Sequence, residues 1–412
     1  MTNGRITVST LVCLSSWLFV SGRRVKWIYL WDSLFKPLEF FFLYCIIRYS
    51  WTVRELELGR EMYSQNCFIK ETLMNLTDSR YKDFALVKEM LETADVIRNF
   101  DFSQTANMAK AIEQTGAVFL TGEGSSRIFP AKSFIYGVLK RGLPIAVATD
   151  GSFQGCEYDL SRFAVMGASN SGKTKELITL IKQLKAKGQK NIFGVTANAG
   201  TPLQELSDEC VVLSCGKEDA VAATKSVVEQ ALVYRSILCN LIKCCECDAN
   251  KTAAADLSAQ IMTTEYDPAI IEKAANARTI FFAGRNDGVA EELTLKTNEI
   301  TRKQSDFLEG TYALHGVEEI MRENDVIFFV EPFESEFEKM QSIFEKNVGC
   351  TVVALSTKDT PFPTIKLPEL KGYEKFFQLM AGWNLLVQIG TAEGINLDKP
   401  TRARKIGNEF IG

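Results

Sequence analysis

The 412-residue chain is 46% hydrophobic and 24% charged, with 27 Gly and 10 Pro, a composition that excludes a disordered tail, a collagen or a small disulfide scaffold. Its formal charge of −4 lacks the basic surplus of a nucleic-acid binder, and its single His excludes a histidine-rich zinc or copper site. Length predicts two domains, each large enough to bury a core.

In chain order, residues 1–61 stand apart. Four of the five Trp (Trp17, Trp27, Trp31, Trp51) fall there, with the aromatic run Phe40-Phe41-Phe42-Leu43-Tyr44. Thr7 to Val20 is apolar enough for the core of a secretory signal, and Trp27 to Trp51 has the composition of a membrane-associated segment. Asp32, Lys36, Pro37 and Glu39 interrupt it, so the run of about 20 apolar residues that a crossing helix needs is missing. Met62 is the first Met after Met1, and ordinary amphipathic sequence begins there. We therefore expect residues 1–61 to be a hydrophobic extension outside the working protein, and no membrane role for the folded domains.

From Ala117 onward, short β-branched runs alternate with helical stretches, the pattern of a parallel sheet covered by helices on both faces. Strands are predicted near Ala117, Pro144, Phe163, Asn191 and Cys210, with a helix over Thr174–Lys187 and a longer one over Ala220–Cys244 that closes the first half. After a polar patch near Asp248–Ala255 the scheme restarts, with strands near Thr279, Val326 and Val352. The opening turns are similar in kind, Phe119-Leu-Thr-Gly-Glu-Gly and Phe281-Phe-Ala-Gly-Arg-Asn. The expectation is two similar doubly wound parallel-sheet α/β domains in tandem, over residues 62–250 and 251–412. Ligands in such sheets sit beyond the carboxyl ends of the strands.

One loop carries a sharp local signal. Gly167-Ala-Ser-Asn-Ser-Gly-Lys-Thr174 leaves a strand and opens a helix. Small residues let the backbone approach an anion, the helix N-terminus supplies oriented N–H groups, and the hydroxyls of Ser169, Ser171 and Thr174 add donors. The string also fits the nucleotide-binding pattern G-x-x-x-x-G-K-[ST], which needs an acidic residue ending a neighbouring strand to hold magnesium. Asn191–Ala197 and Cys210–Cys215 end in Ala-Asn and Ser-Cys instead. A Ser-rich helix cap is the third reading.

Three further places carry candidate chemistry. Glu292 and Glu299, seven residues apart on a helix beginning near Val289, share a face; they are either a pair of proton carriers or part of a solvated face with Glu292 and Lys296 as an i,i+4 pair. His315, in Ala313-Leu-His-Gly316, is structural or catalytic. The tail Asp398-Lys-Pro-Thr-Arg-Ala-Arg-Lys405 is a solvated basic tail or brings an amine to a carbonyl. Eleven Cys, scattered from Cys13 to Cys350 without a repeating spacing, read as reduced thiols of a cytoplasmic protein. Cys244-Cys245-Glu246-Cys247 is the one metal-like cluster, yet no second Cys pair or nearby His completes a tetrahedral site, so no metal and no cofactor is expected.

Ser169-Asn-Ser-Gly-Lys-Thr174 resembles the S-x-S-G-x-T signature of the sugar isomerase (SIS) domain, a flavodoxin-like fold that binds the phosphate of a phosphosugar. Gly122-Glu-Gly-Ser-Ser126 is similar to that family's first phosphate loop, and Val221-Ala-Ala-Thr-Lys-Ser226 to its Ala-x-Thr-Lys helix. Residues from about 100 to 412 resemble the isomerase half of the glucosamine-6-phosphate synthase family, a pair of SIS domains. The resemblance implies phosphate contacts from Ser125, Ser126, Ser169, Asn170, Ser171 and Thr174, and a sugar contact from Val221. Glu292 and Glu299 resemble the two glutamates of that family, whose pattern Leu-Lys-x-x-Glu-Ile is matched by Leu295-Lys-Thr-Asn-Glu-Ile300; the resemblance makes Glu299 the base at C1/C2 and Glu292 its companion. It also implies that His315 opens the sugar ring from the neighbouring subunit of a homodimer, and that Lys405 meets the sugar carbonyl. Leu314 and Val317 depart from the family's Lys and Pro beside that His, Glu309 is a further carboxylate without a counterpart, and the second half has Glu331-Pro-Phe-Glu where the first has its Ser-rich turn. No glutamine-hydrolysing half is expected, since the chain has no room for it and no Cys follows Met1. The expected activity is an amino-sugar-phosphate deaminase/isomerase, with a silent phosphosugar sensor as the reading from another class.

Overall fold

A computed structural model describes residues 14–20, 23–29, 77–404 and 408–410. Met1–Glu71 and Thr72–Gly412 are separate compact units. In the first, strands β1 (Leu14–Val20) and β2 (Arg23–Tyr29) pair antiparallel, Leu14 opposite Tyr29 and Val20 opposite Arg23. The rest of the expectation for residues 1–61 lies outside the described residues.

The second unit begins with helices α1 (Ala85–Asn99) and α2 (Ala106–Thr115). Five strands follow: β3 (Ala117–Gly122), β4 (Ala146–Asp150), β5 (Ala164–Ala168), β6 (Ile192–Thr196) and β7 (Glu209–Val212). They are joined through α3 (Ile128–Lys140), α4 (Lys175–Ala186) and short turns. Helices α5 (Lys225–Leu241), α6 (Glu246–Thr263) and α7 (Pro268–Asn276) lead to the second sheet. That sheet contains β8 (Thr279–Gly284), β9 (Gln304–Glu309), β10 (Val326–Val330), β11 (Thr351–Ser356) and β12 (Thr364–Lys366), with α8 (Val289–Ile300) between β8 and β9. Helix α9 (Glu374–Ala392) ends the series.

Both sheets are parallel, and their orders are β4-β3-β5-β6-β7 and β9-β8-β10-β11-β12. Taken as positions within each half, these are the same order, so the second half repeats the winding of the first. In each, the chain moves to one neighbour of the opening strand and then crosses to the other, which puts a switch point between β3 and β5 and another between β8 and β10. The central strands β3, β5, β8 and β10 are buried along their whole length, as near-continuous apolar runs of covered parallel sheets require.

Alternation within the strands sorts the core. Val118 and Leu120 of β3 and Ile280 and Phe282 of β8 face one shared apolar interior, while Phe119 and Phe281 turn to separate smaller clusters on the far faces. The shared interior is built around α9, buried from Phe376 to Gly390. A helix apolar on all sides belongs at a centre, and α9 packs against α6, α7 and α8.

Three local readings are corrected. The polar patch near Asp248–Ala255 is the body of α6, because its Ala run favours helix and Ala254, Ala255, Ser258, Ile261 and Met262 form a buried stripe; the boundary expected at 250/251 falls inside this helix. The helix expected from Ala220 begins at Lys225, since carboxylates capture the preceding backbone: Glu218 Oε1 accepts from Thr224 N–H at 2.8 Å, and Glu89 accepts from Ala220 N–H. Strands β9 and β12 were not anticipated. β9 is an edge strand of mixed polar residues, and β12 has only three residues.

Candidate active site

Gly122 ends β3 opposite Ala168, the last residue of β5. A Cβ at Gly122 would lie 2.6 Å from the Ala168 carbonyl oxygen, so the two loop-bearing strand ends meet this closely because neither adds bulk there. The chain then passes through the single turn Gly124–Ser126. Glu123 braces it, its Oε1 accepting from Ser152 N–H at 2.9 Å, and Ser126 N–H donates to Glu123 O. Ser125 and Ser126 are half-buried on this turn.

The loop after β5 folds on its own hydroxyls. Ser169 Oγ lies 2.7 Å from Thr174 Oγ1 and accepts from Gly172 N–H at 3.1 Å, while Ser171 Oγ accepts from Lys173 N–H at 3.2 Å. Gly172 has φ +65°, and a Cβ there would sit 2.3 Å from Thr201 Oγ1, so this corner admits only Gly. Three hydroxyls and the start of α4 thus share one turn at the first switch point, an arrangement suited to an anion. Asn170 Nδ2 donates to Glu218 Oε2 at 3.1 Å and to Ser226 Oγ at 3.2 Å. Glu218 also accepts from Ser226 Oγ at 2.6 Å, which ties the loop to the segment carrying half-buried Val221.

Helix α8 brings the second half to this place. The seven-residue spacing does put Glu292 and Glu299 on one face, with Lys296 between them: Lys296 Nζ is 2.7 Å from Glu299 Oε2 and 3.4 Å from Glu292 Oε1. The same amine donates to Ser125 Oγ at 2.9 Å. The alternative of a solvated ion pair is overturned, because Glu292 and Lys296 are fully buried and only Glu299 keeps partial exposure. Burial pushes the Glu292 carboxyl up, opposed by the Lys296 charge. Burial alone would lower the Lys296 ammonium, but the carboxylates of Glu299 and Glu292 outweigh it and hold the amine protonated above its ordinary value. Glu218 adds to that field, so the Asn170–Glu218 network and the Lys296 cluster are electrostatically joined.

Of the residues expected at the site, Ser125, Glu292 and Glu299 are linked directly through Lys296, and Ser169, Asn170, Ser171 and Thr174 form the adjoining turn. His315 is not brought there within one chain. It is exposed beyond β9, on a loop whose Ala313 and Leu314 pack on the far face of the second sheet, and its side chain makes no hydrogen bond or ion pair among the described residues. Glu309 is exposed at the end of edge strand β9. Lys405 lies outside the described residues, although the chain after it docks on the Ser169–Thr174 turn: Glu409 bridges Thr174, Lys175 N–H donates to Asn408 O at 3.2 Å, and Phe410 N–H to Lys173 O at 2.8 Å. Sequence reasoning named Lys296 only as the i,i+4 partner of Glu292 on a solvated face, and it missed Glu218. The i,i+4 and i,i+3 offsets from Glu292 and Glu299 were the signal for Lys296; nothing local marked Glu218.

Residues 141–239 match the model of the SIS domain, a span that includes Ser169–Thr174 and Val221. Over 320 residues the chain is 24% identical to a glutamine–fructose-6-phosphate aminotransferase (isomerizing) of Pyrococcus horikoshii, covering 74% of this chain and 53% of that protein. The chain thus spans about half the length of that relative. Among solved structures, glucosamine-6-phosphate deaminase from Thermotoga maritima superposes with TM-score 0.62 at 20% identity, covering 78% of this chain and 98% of that one. Tagatose-6-phosphate ketose/aldose isomerase from Escherichia coli does so with TM-score 0.63 at 15% identity, covering 81% and 100%. The class is therefore a tandem α/β protein carrying an SIS domain. More particularly, the chain is homologous to the isomerase domain of glutamine–fructose-6-phosphate aminotransferase.

Proposed function

We propose that the protein is a phosphosugar isomerase acting as an amino-sugar-phosphate deaminase/isomerase, converting a hexosamine 6-phosphate to a ketose 6-phosphate and ammonia. The observation that carries this reading is the Ser125–Lys296–Glu299 contact, which sets a proton-carrying carboxylate beside an anion-binding turn. The phosphate seats on Ser125, Ser126, Ser169, Ser171 and Thr174. Ring opening is followed by proton transfer between C1 and C2, through an enolamine for a 2-amino sugar and an enediol for a ketose, with Glu299, the more exposed carboxylate of the pair, as base; water then adds to the C2 imine and supplies the ketose oxygen as ammonia leaves. Lys296, held as a cation, balances charge as the enediolate oxygen develops. Val221 borders the sugar, and Glu292 fixes Lys296 from the buried side. His315 enters from a second copy of the chain in a homodimer and opens the ring, in keeping with its exposure; Lys405 meets the sugar carbonyl. The solved structures of similar fold that act on glucosamine 6-phosphate and tagatose 6-phosphate support the substrate class.

A panel of hexose, hexosamine and fructosyl-amine phosphates tests the reading. Ammonia release from glucosamine 6-phosphate, or deuterium uptake at C1 of fructose 6-phosphate, is the expected result. Saturable phosphosugar binding with neither reaction on any member would instead make the protein a phosphosugar-binding regulator.

A further inference from the structure

The second half has its own crevice at the carboxyl ends of its strands, and it is not lined like the first. A cavity of about 750 Å³ opens there, bordered by Arg285 after β8, Glu331 after β10 and Thr357 after β11, and closed by α3, α5 and the start of α9. Its size is that of a small-molecule site. Among the described residues its floor has no counterpart of the Ser169–Thr174 turn, and the Ser356 and Thr357 hydroxyls beside it are turned to Glu331. Where the first half has its Ser-rich loop, Glu331 holds the turn, with Oε1 accepting from Thr357 N–H at 2.7 Å and φ at +48°.

The charges of this cavity do not cancel. Six basic side chains line it against four carboxylates, Asp287, Glu331, Glu369 and Glu374; Asp287 pairs with Lys375, Glu331 accepts from Thr357 and Ser356, Glu374 Oε2 accepts from Gly372 N–H at 2.9 Å, and Glu369 is exposed. Among its basic ones, Lys140, Arg141 and Arg285 have no carboxylate partner among the described residues. Arg141 donates only to Gly137 O, and Arg285 donates to Glu331 O and stacks on Phe333 at 4.4 Å. Lys140 and Arg285 both press their charge on Lys375, which is itself 3.4 Å above the Tyr136 ring. Cations crowded in a partly enclosed cavity repel one another, and the interaction that relieves them is with a small multivalent anion. The long helix α9 begins on the same wall and adds the positive end of its dipole.

We propose that this second crevice is a binding site for a phosphorylated small molecule, its phosphate held by Arg285, Lys140, Arg141 and Lys375. The site is separate from the Ser-lined turn and does not depend on the reaction assigned to it. It also touches the catalytic helix: Lys375 pairs with Asp287, whose Oδ1 accepts from Val289 N–H at 3.2 Å at the start of α8. An anion that draws Lys375 outward acts on the helix that carries Glu292, Lys296 and Glu299.

Equilibrium dialysis of radiolabelled inorganic phosphate against the full chain tests this, with Ser169→Ala/Ser171→Ala removing the first turn. One saturable phosphate site should remain in that background. Adding Lys140→Gln and Arg285→Gln should weaken it at least tenfold, and Lys140→Arg with Arg285→Lys should retain it. Acetylation of Lys140 by acetic anhydride in the unsubstituted chain should be slowed by phosphate, a measurement that needs no variant to fold. Loss of all saturable binding with the serine variants, equal binding in the neutralised chain, or no protection of Lys140 would each overturn the proposal.

Discussion

The two strand-end crevices share a winding and differ in chemistry. In the first, hydroxyls and backbone N–H groups line the turn, and the charges sit one layer back as the Glu292–Lys296–Glu299 row and Glu218. In the second, side-chain cations border the space directly, and the turn that would donate N–H groups is braced by Glu331. A repeated topology thus fixes where a ligand can sit while leaving open what holds it, because the strand order places the loops and the loops supply the chemistry.

The largest effect expected from breaking this contrast is on turnover. Glu299→Gln keeps the size and the hydrogen-bonding reach of the side chain but removes its basicity. It should lower kcat by about 10²- to 10⁴-fold, the usual range for a general acid–base group, with phosphosugar binding largely kept. Isothermal titration with the substrate phosphate alongside steady-state kinetics separates the two. Equal losses in binding and turnover would place Glu299 in support of the phosphate turn instead.

Next is packing at the two opening strands, where the halves can be compared residue for residue. Gly122 and Gly284 close β3 and β8, yet an added methyl meets different neighbours. At Gly122 it lies 2.6 Å from a backbone carbonyl that cannot swing away; at Gly284 it meets Ala290 Cβ at 3.1 Å and Val330 Cβ at 3.3 Å, contacts that relax with a few tenths of an ångström of movement. Gly122→Ala should cost about 1–3 kcal/mol, the range for overpacking, and Gly284→Ala less. Thermal unfolding of the two variants checks the order. A smaller shift for Gly122→Ala would mean that the strand ends approach less closely than described.

Ser171→Ala sharpens the other side of the contrast. Its hydroxyl caps Lys173 N–H and faces the anion-binding turn. A hydrogen bond to a charged group contributes about 1.5–3 kcal/mol, so phosphosugar affinity should fall roughly 10- to 100-fold with kcat much less affected. Competition binding with the substrate phosphate is the measurement.

Much of this arrangement was legible in the sequence, for physical reasons. Buried parallel strands such as Ala117–Gly122 and Val326–Val330 read as unbroken apolar runs because both faces are covered, and the Ser169–Thr174 turn stood out because its small residues and hydroxyls are consecutive and open a helix. The spacing of Glu292 and Glu299 gave their shared face. What could not be read was long-range: that Lys296 reaches Ser125, 171 positions away in sequence, and that the carboxylate of Glu218 stops the following helix from starting at Ala220. Edge strand β9 escaped because an edge is half-wet and loses its alternation. His315 shows the limit of a local motif, since its sequence surroundings resemble a family loop, with departures at Leu314 and Val317, while its side chain is exposed and unpaired among the described residues.

The smallest effect concerns Arg235, a cation at the margin of the second crevice whose charge is already committed. Its Nε donates to Cys247 Sγ at 3.0 Å, and the neighbouring Cys239 thiol hydrogen-bonds the same sulfur. That thiol's hydrogen bond, aided by the guanidinium and opposed by burial, holds Cys247 below its ordinary value of 9.0, while Cys239, the proton-keeping partner, is pushed up. For Cys247 the folded chain releases its proton more readily than the unfolded one, so stability rises with pH from the lowered value toward 9.0 and is lost as pH falls through it. Above that value the unfolded chain ionises Cys239 while the folded chain does not, so the sign reverses and stability declines. Urea midpoints between mildly acid and mildly alkaline pH should pass through a maximum near the ordinary thiol value, and Cys247→Ala should flatten the rising limb. An unchanged rising limb in that variant would release Arg235 from Cys247 and return its charge to the crevice, making the second site more cationic than the pairing allows.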